Sequence, residues 1–278
     1  MLYQSMEMIS LFTVITVVVL IWFGSGRNPL AAVPVLGKEL FKSYKFLLLF
    51  AGMLGVLAFN KYELAIERKM NLSADYTPFV FAVEGKFVHH LQAFFVTPWL
   101  TPVIVFFYIF MLQSVLAASL GVYALGRNRL MLYATCYAIL INYLVAIPFY
   151  LYFPVNEVWA YAPAVVRFVM LDAFPRFEQE YRALSGLNNC FPSLHTSISV
   201  TTALLAFRSG NRRWMAITTV SACIIVFGIF YLGIHWLTDM TGGVLLAVLA
   251  SALGVKLSAL TLRNEEPLSL ASRISNWR

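Results

Sequence analysis

Seven apolar segments alternate with polar connections along the chain, at about 9–24, 44–60, 99–121, 130–152, 194–208, 214–232 and 237–261. A bilayer core about 30 Å thick is crossed by roughly 20 apolar residues in a helix, so each segment predicts a membrane-spanning helix. None of them alternates polar and apolar positions as the roughly ten-residue strands of a membrane barrel do. The connection over 61–98 is not polar enough for a free loop. After Asn71 and a turn at 75–78, Val80, Val83, Phe87, Leu91, Phe94 and Phe95 fall on one helical stripe, which Glu84, Lys86, His89, His90 and Gln92 avoid. That pattern predicts an amphipathic helix at the outer membrane interface, either a plain surface cover or a cover over a lipid entrance.

The charges between segments give an orientation. The first connection carries Arg27, Lys38, Lys42 and Lys45, the third Arg127 and Arg129, the fifth Arg208, Arg212 and Arg213, and the tail Arg263, Arg273 and Arg278. Their only acids are Glu39, Glu265 and Glu266, whereas the even connections mix both signs. The positive-inside rule then puts the odd connections and the C-terminus in the cytoplasm and the N-terminus outside, which agrees with an odd number of spans.

Composition sharpens the class. Residues are 60% hydrophobic and 12% charged, where soluble domains run near a quarter charged. The expected fold is an all-α integral membrane protein, one domain over 1–278 with about six to seven transmembrane helices. The net charge of +7 is spread among hydrophobic runs, so it reads as a topology signal and no nucleic-acid partner is expected. Cys136, Cys190 and Cys223 form no C-x-x-C pair, which argues against a disulfide framework or a zinc ribbon. Glu7 is the only charge before Arg27, so 9–24 reads as a retained helix rather than a signal peptide.

Two of the four histidines stand in contexts that suggest chemistry. The first stretch runs Cys190-Phe191-Pro192-Ser193-Leu194-His195-Thr196, at the outer start of the fifth span. Proline suits the first helical turn, and the free N–H groups of that turn, with Ser193, can hold phosphate oxygens in front of His195. The second runs Gly233-Ile234-His235-Trp236-Leu237-Thr238-Asp239, at the outer start of the seventh span. His235 and Asp239 are four apart and share a helical face, so the carboxylate can fix the imidazole tautomer and leave the other nitrogen as a nucleophile. Gly242 and Gly243 leave room for close helix packing. Two histidines on one side of the membrane suit a double displacement at phosphorus, in which one attacks and the other handles the proton of the leaving and incoming oxygens. The set is thin for a metal site and there is no H-E-x-x-H, so neither metal nor cofactor is expected.

These stretches resemble the type 2 phosphatidic acid phosphatase (PAP2) superfamily, and more narrowly the branch containing fungal inositol phosphorylceramide synthase, through F-P-S-L-H followed by H-x-x-x-D. The resemblance is specific over 191–243. It implies a PAP2-like core, with His235 as nucleophile, Asp239 orienting it, His195 as general acid and Ser193 holding phosphate, without a metal. Leu194 stands where the wider family has glycine, and Gly228 and Ile229 stand where it has Ser-Arg. Lys61 and Arg68 have the spacing of the first family motif but are followed by Lys69 instead of proline, and the match reads as chance. Arg167, then Arg176 and Arg182, are the expected partners for phosphate oxygens. Glu157, in Phe153-Pro154-Val155-Asn156-Glu157, would repel a phosphate unless paired with an arginine. The implied activity is a lipid phosphate or pyrophosphate phosphatase with an extracytoplasmic site, in the plasma membrane. The alternatives are a phosphotransferase with an alcohol or polyol acceptor, and a non-catalytic lipid transporter of the same fold.

Overall fold

The computed structural model describes residues 6–70, 74–182 and 186–264; the side chains of 6, 60, 61, 63–65 and 67–70 fall outside that description. The Lys61 and Arg68 side chains, Asn71 and the tail beyond 264 therefore lie outside the described residues. Among the described residues the fold is helical and contains no strand.

Helix α1 (Met6–Ser25) is followed by α2 (Ala32–Lys42) and α3 (Tyr44–Met70), then two short helices, α4 (Thr77–Glu84) and α5 (Phe87–Phe95). The bundle continues with α6 (Leu100–Leu125), α7 (Arg129–Tyr152), α8 (Leu194–Arg208), α9 (Arg212–Tyr231) and α10 (Leu237–Arg263). Among the described residues, α1, α6, α7, α9 and α10 are long and apolar enough to cross a membrane. The pair Pro29–Lys42 and Tyr44–Phe59 is long and apolar enough only when taken together, and its two parts meet at a bend of 115°, the geometry of a broken span or a re-entrant loop. The fifth apolar segment, 194–208, forms α8, whose 15 residues extend only about 22 Å. It survives as a short element because it is enclosed by its neighbours. Among its buried hydroxyls, Ser199 donates to His195 O at 2.6 Å, Thr202 to Ser199 O at 2.8 Å, and Ser197 bonds Asn142 of α7, while Thr196 Oγ1 makes no hydrogen bond.

Side-chain caps fix where the central helices begin. Asn128 accepts from Met131 N at 3.1 Å to start α7, and Asn211 from Trp214 N at 3.0 Å to start α9. These two starts, the ends of α1 and α6, and Arg208 of α8 gather at one end of the bundle. There Arg27 bonds Leu125 O, Arg129 pairs with Glu39 at 3.0 Å, and Arg208 donates to Ser251 O at 3.1 Å. The starts of α8 and α10 lie at the opposite end.

The 77–95 segment departs from the single amphipathic helix read from the sequence. Gly85 adopts φ +61°, a conformation that L side chains rarely adopt, and ends α4 before α5 begins. The inward side chains are Thr77, Val80, Val88 and Gln92, while Val83 is 69% exposed and Phe94 is 79% exposed. Much of the apolar stripe thus faces outward, the orientation expected where the surrounding solvent is hydrocarbon.

Candidate active site

The starts of α8 and α10 are bound to each other. Ser193 caps α8 by accepting from Thr196 N at 3.3 Å, and its own N–H donates to Asp239 O at 3.0 Å. Tyr150, near the end of α7, donates to Pro192 O at 3.0 Å. A Cβ placed on Gly243 would lie 2.6 Å from Ser193 O, so only glycine permits this approach. The contact sets the His195 and His235 rings 6.2 Å apart between centroids.

His235 is buried, with Nδ1 3.3 Å from Asp239 Oδ2; that oxygen also accepts from Trp236 N at 2.8 Å. Asp239 is fully buried, which suits a carboxylate that fixes a tautomer and offsets charge developing on the ring. The loop carrying His235 is held by backbone bonds from Val158 to Ile234 O, Trp159 to Gly233 O and Val169 to Leu232 O, at 3.2, 3.0 and 3.3 Å. Gln92 of α5 adds a bond to Tyr231 O at 3.1 Å and bonds to the Arg167 backbone. From α4, Glu84 reaches the free end of α10: it accepts from Leu237 N at 2.6 Å and Thr238 N at 2.5 Å, and from the Thr238 hydroxyl. Burial pushes the Glu84 carboxyl up, against the pull of these hydrogen bonds.

Both histidines line a cavity of about 180 Å³, together with Tyr108, Tyr143, Tyr150, Tyr181, Gln113 and Glu157. Tyr108 lies in a π-helical turn of α6 (Phe107–Met111) and stacks on His195 with centroids 3.9 Å apart and planes at 10°. Glu157 is buried and accepts from Arg182 at 2.7 and 3.1 Å and from the Trp159 indole. Arg182 also bonds Glu178 at 2.8 Å, and its guanidinium lies over the rings of Trp159, Phe168 and Phe177. Burial pushes the Glu157 carboxyl up, with Arg182 opposing the shift. For Arg182, burial disfavours the charge, but its bonds to Glu178 and Glu157 more than restore it and hold the pKa above the usual value.

The residues singled out in the sequence thus separate into two groups. His195, His235 and Asp239 come together. Ser193 stands beside them but is fully buried, with its hydroxyl engaged as a helix cap. Arg167 and Arg176 do not join the cavity lining. The Arg167 side chain is 60% exposed and paired with Asp172 at 2.9 Å, while its backbone is what Gln92 holds; Arg176 is exposed. Among the described residues no lysine or arginine lines the cavity. Tyr108 and Glu84 gave no signal in the sequence, since a tyrosine within an apolar run and a glutamate on a short amphipathic helix look ordinary.

The family model described as the PAP2 superfamily matches residues 82–253, more than half of the chain. The chain belongs to the PAP2 superfamily. No match was found among curated proteins or among solved structures. The members of the PAP2 superfamily are generally phosphatases or phosphotransferases, and the matched range contains the last turn of α4 with Glu84, all of α5 and every residue of the cavity described above. Where the family's third motif carries Ser-Arg, this PAP2 protein has Gly228 and Ile229; Ile229 is fully buried, and its carbonyl accepts from Ile234 N and His235 N at 3.0 and 3.2 Å.

Proposed function

We propose that this PAP2 protein cleaves a lipid phosphate or pyrophosphate through a phosphohistidine on His235. The observation that carries the reading is the pair of histidine rings over one cavity, with His235 backed by a buried carboxylate. With Nδ1 turned to Asp239, Nε2 is left to attack phosphorus. As the N–P bond forms, the P–O bond to the leaving group breaks, and His195, charged once the phosphate anion is bound beside it, gives its proton to the departing oxygen. His195 then takes a proton from the incoming water, whose oxygen displaces phosphate from His235. Stacking on Tyr108 holds the His195 ring for both transfers. A second cavity of about 330 Å³, lined by Phe79, Val80, Val83, Phe149, Phe153, Phe191 and Thr238, offers an apolar place for a lipid chain.

A second reading, a phosphotransferase that passes the group to an alcohol or polyol, is favoured by the lining itself. Tyrosyl hydroxyls, the Gln113 amide and the Glu157 carboxylate suit a neutral, hydroxyl-rich acceptor. The site is extracytoplasmic in either reading, because Arg27, Arg129 and Arg208 gather at the other end of the bundle. The test is phosphorus NMR on the purified protein with a panel of lipid phosphates, with and without polyol acceptors, for the wild type and His235→Ala. Inorganic phosphate released only by the wild type supports the phosphatase. A phosphodiester signal that needs an acceptor supports the transferase. Full turnover by His235→Ala removes the phosphohistidine, and lipid binding without turnover in the wild type points to a non-catalytic carrier.

A further inference from the structure

His235 has a neighbour that neither activity needs. Cys190, His235 and Asp239 are all buried, and each places one potential ligand atom within 4.8 Å of the other two. The Cys190 thiol is held only by weak contacts, 3.9 Å to Leu187 O and 3.8 Å to Ile234 O. A second observation comes from Asp239, whose Oδ1 is buried and accepts no hydrogen bond. A buried carboxylate oxygen without a donor is costly, and a cation is one group that would satisfy it.

The donor set selects the kind of cation. One sulfur, one imidazole nitrogen and one carboxylate oxygen are poor ligands for Mg²⁺ or Ca²⁺ and suit a borderline-soft ion such as Zn²⁺. Tetrahedral Zn²⁺ with bonds of about 2.0–2.3 Å holds its ligand atoms roughly 3.2–3.8 Å apart, so side-chain adjustments of about an ångström would complete three corners. The fourth corner would face the cavity. Burial, and then the carboxylates of Asp239 and Glu157, push the Cys190 thiol up, so the incoming metal must displace its proton to solvent.

We propose that Cys190, His235 and Asp239 form an inhibitory Zn²⁺ site that withdraws the His235 imidazole from chemistry. The metal binding stands on the geometry of the three side chains; the inhibition rests on the role given to His235 under the proposed function. The two are tested separately on the full-length protein in detergent. Co²⁺, a spectroscopic stand-in for Zn²⁺, should give a thiolate charge-transfer band together with tetrahedral d–d bands, and Zn²⁺ should displace both. Cys190→Ser should lose the charge-transfer band, and Cys136→Ser/Cys223→Ser, which retains Cys190 alone, should keep it. Lipid phosphate turnover should fall roughly tenfold or more with Zn²⁺ in the wild type and in the double variant, because a metal-bound imidazole has no lone pair to attack with. Mg²⁺ should have no effect on either. Absence of the thiolate band in the wild type, its loss in the double variant, or equal Zn²⁺ inhibition of Cys190→Ser overturns the proposal. If no lipid phosphate is turned over, the functional reading fails while the Co²⁺ spectrum still decides whether the site exists.

Discussion

Replacing Gly243 by alanine should separate the two histidines without altering either. The new Cβ would sit 2.6 Å from Ser193 O and 2.8 Å from Thr196 Cβ. Comfortable carbon contacts lie at about 3.5–4.0 Å, so the starts of α8 and α10 would have to part by close to an ångström. Neither neighbour yields easily, since one is backbone and the other belongs to a fully buried residue. Overpacking of this kind costs about 1–3 kcal/mol, and alanine's better helix propensity returns about 1 kcal/mol, leaving a loss between zero and about 2 kcal/mol. The effect on rate should be larger. A shift of about an ångström between reacting groups is worth roughly a hundredfold in turnover. The assay pairs lipid phosphate turnover with thermal unfolding in detergent, and Gly55→Ala on α3 is the control because a Cβ there meets nothing within 4 Å. Turnover by Gly243→Ala at the wild-type rate would refute the claim that this contact sets the histidine spacing.

Four further outcomes can be checked. Arg182→Gln leaves the Glu157 carboxylate buried and unpaired, so it should cost about 3–5 kcal/mol in unfolding, and adding Glu157→Gln should restore most of it; a double variant no more stable than the single would contradict this. Glu84→Ala removes the acceptor for Leu237 N and Thr238 N and should cost about 1 kcal/mol, with faster hydrogen exchange at both amides. Asp239→Asn should lower turnover by about 10³-fold or more through loss of the fixed tautomer, and an unchanged rate would make Asp239 purely structural. Single cysteines replacing Lys86 and Arg213 should react with an impermeant maleimide from opposite sides of the membrane; labelling of both from one side would invert the topology argument.

What could be read in advance follows from the range of the physics involved. Span number rests on the length of apolar runs, and six of the seven segments appear as long helices or as a broken pair. His235 and Asp239 do meet, but not on one helical face: His235 precedes α10, and Asp239, in the first turn, reaches back to Trp236 N and the His235 ring. The outward stripe on α4 and α5 was visible as a stripe, but its break was not, because a helical pattern continues through Gly85 as though it had a side chain. Long-range pairings were mostly hidden. Glu157 was flagged as needing an arginine, but which one was hidden: Arg182 meets it across 25 residues of irregular chain whose path no periodicity records. The stack of Tyr108 on His195 was equally hidden, since aromatic residues in a spanning helix usually mean no more than packing.

The π-helical turn at Phe107–Met111 divides α6 into two pieces whose angular phases are independent. An α-helix advances about 100° per residue, so one extra residue in a turn lets the two pieces present different faces without interrupting the rod. On the Leu100–Phe106 side, Thr101 and Ile104 face the core, and Thr101 shares a hydrogen bond with the Tyr231 hydroxyl at 2.8 Å. On the Leu112–Leu125 side, Ser114, Val115 and Ala118 do so. Tyr108 falls within the offset itself. Deleting a single residue there would rejoin the two phases, and either the contacts of one half or the ring beneath His195 would swing away by about a quarter turn.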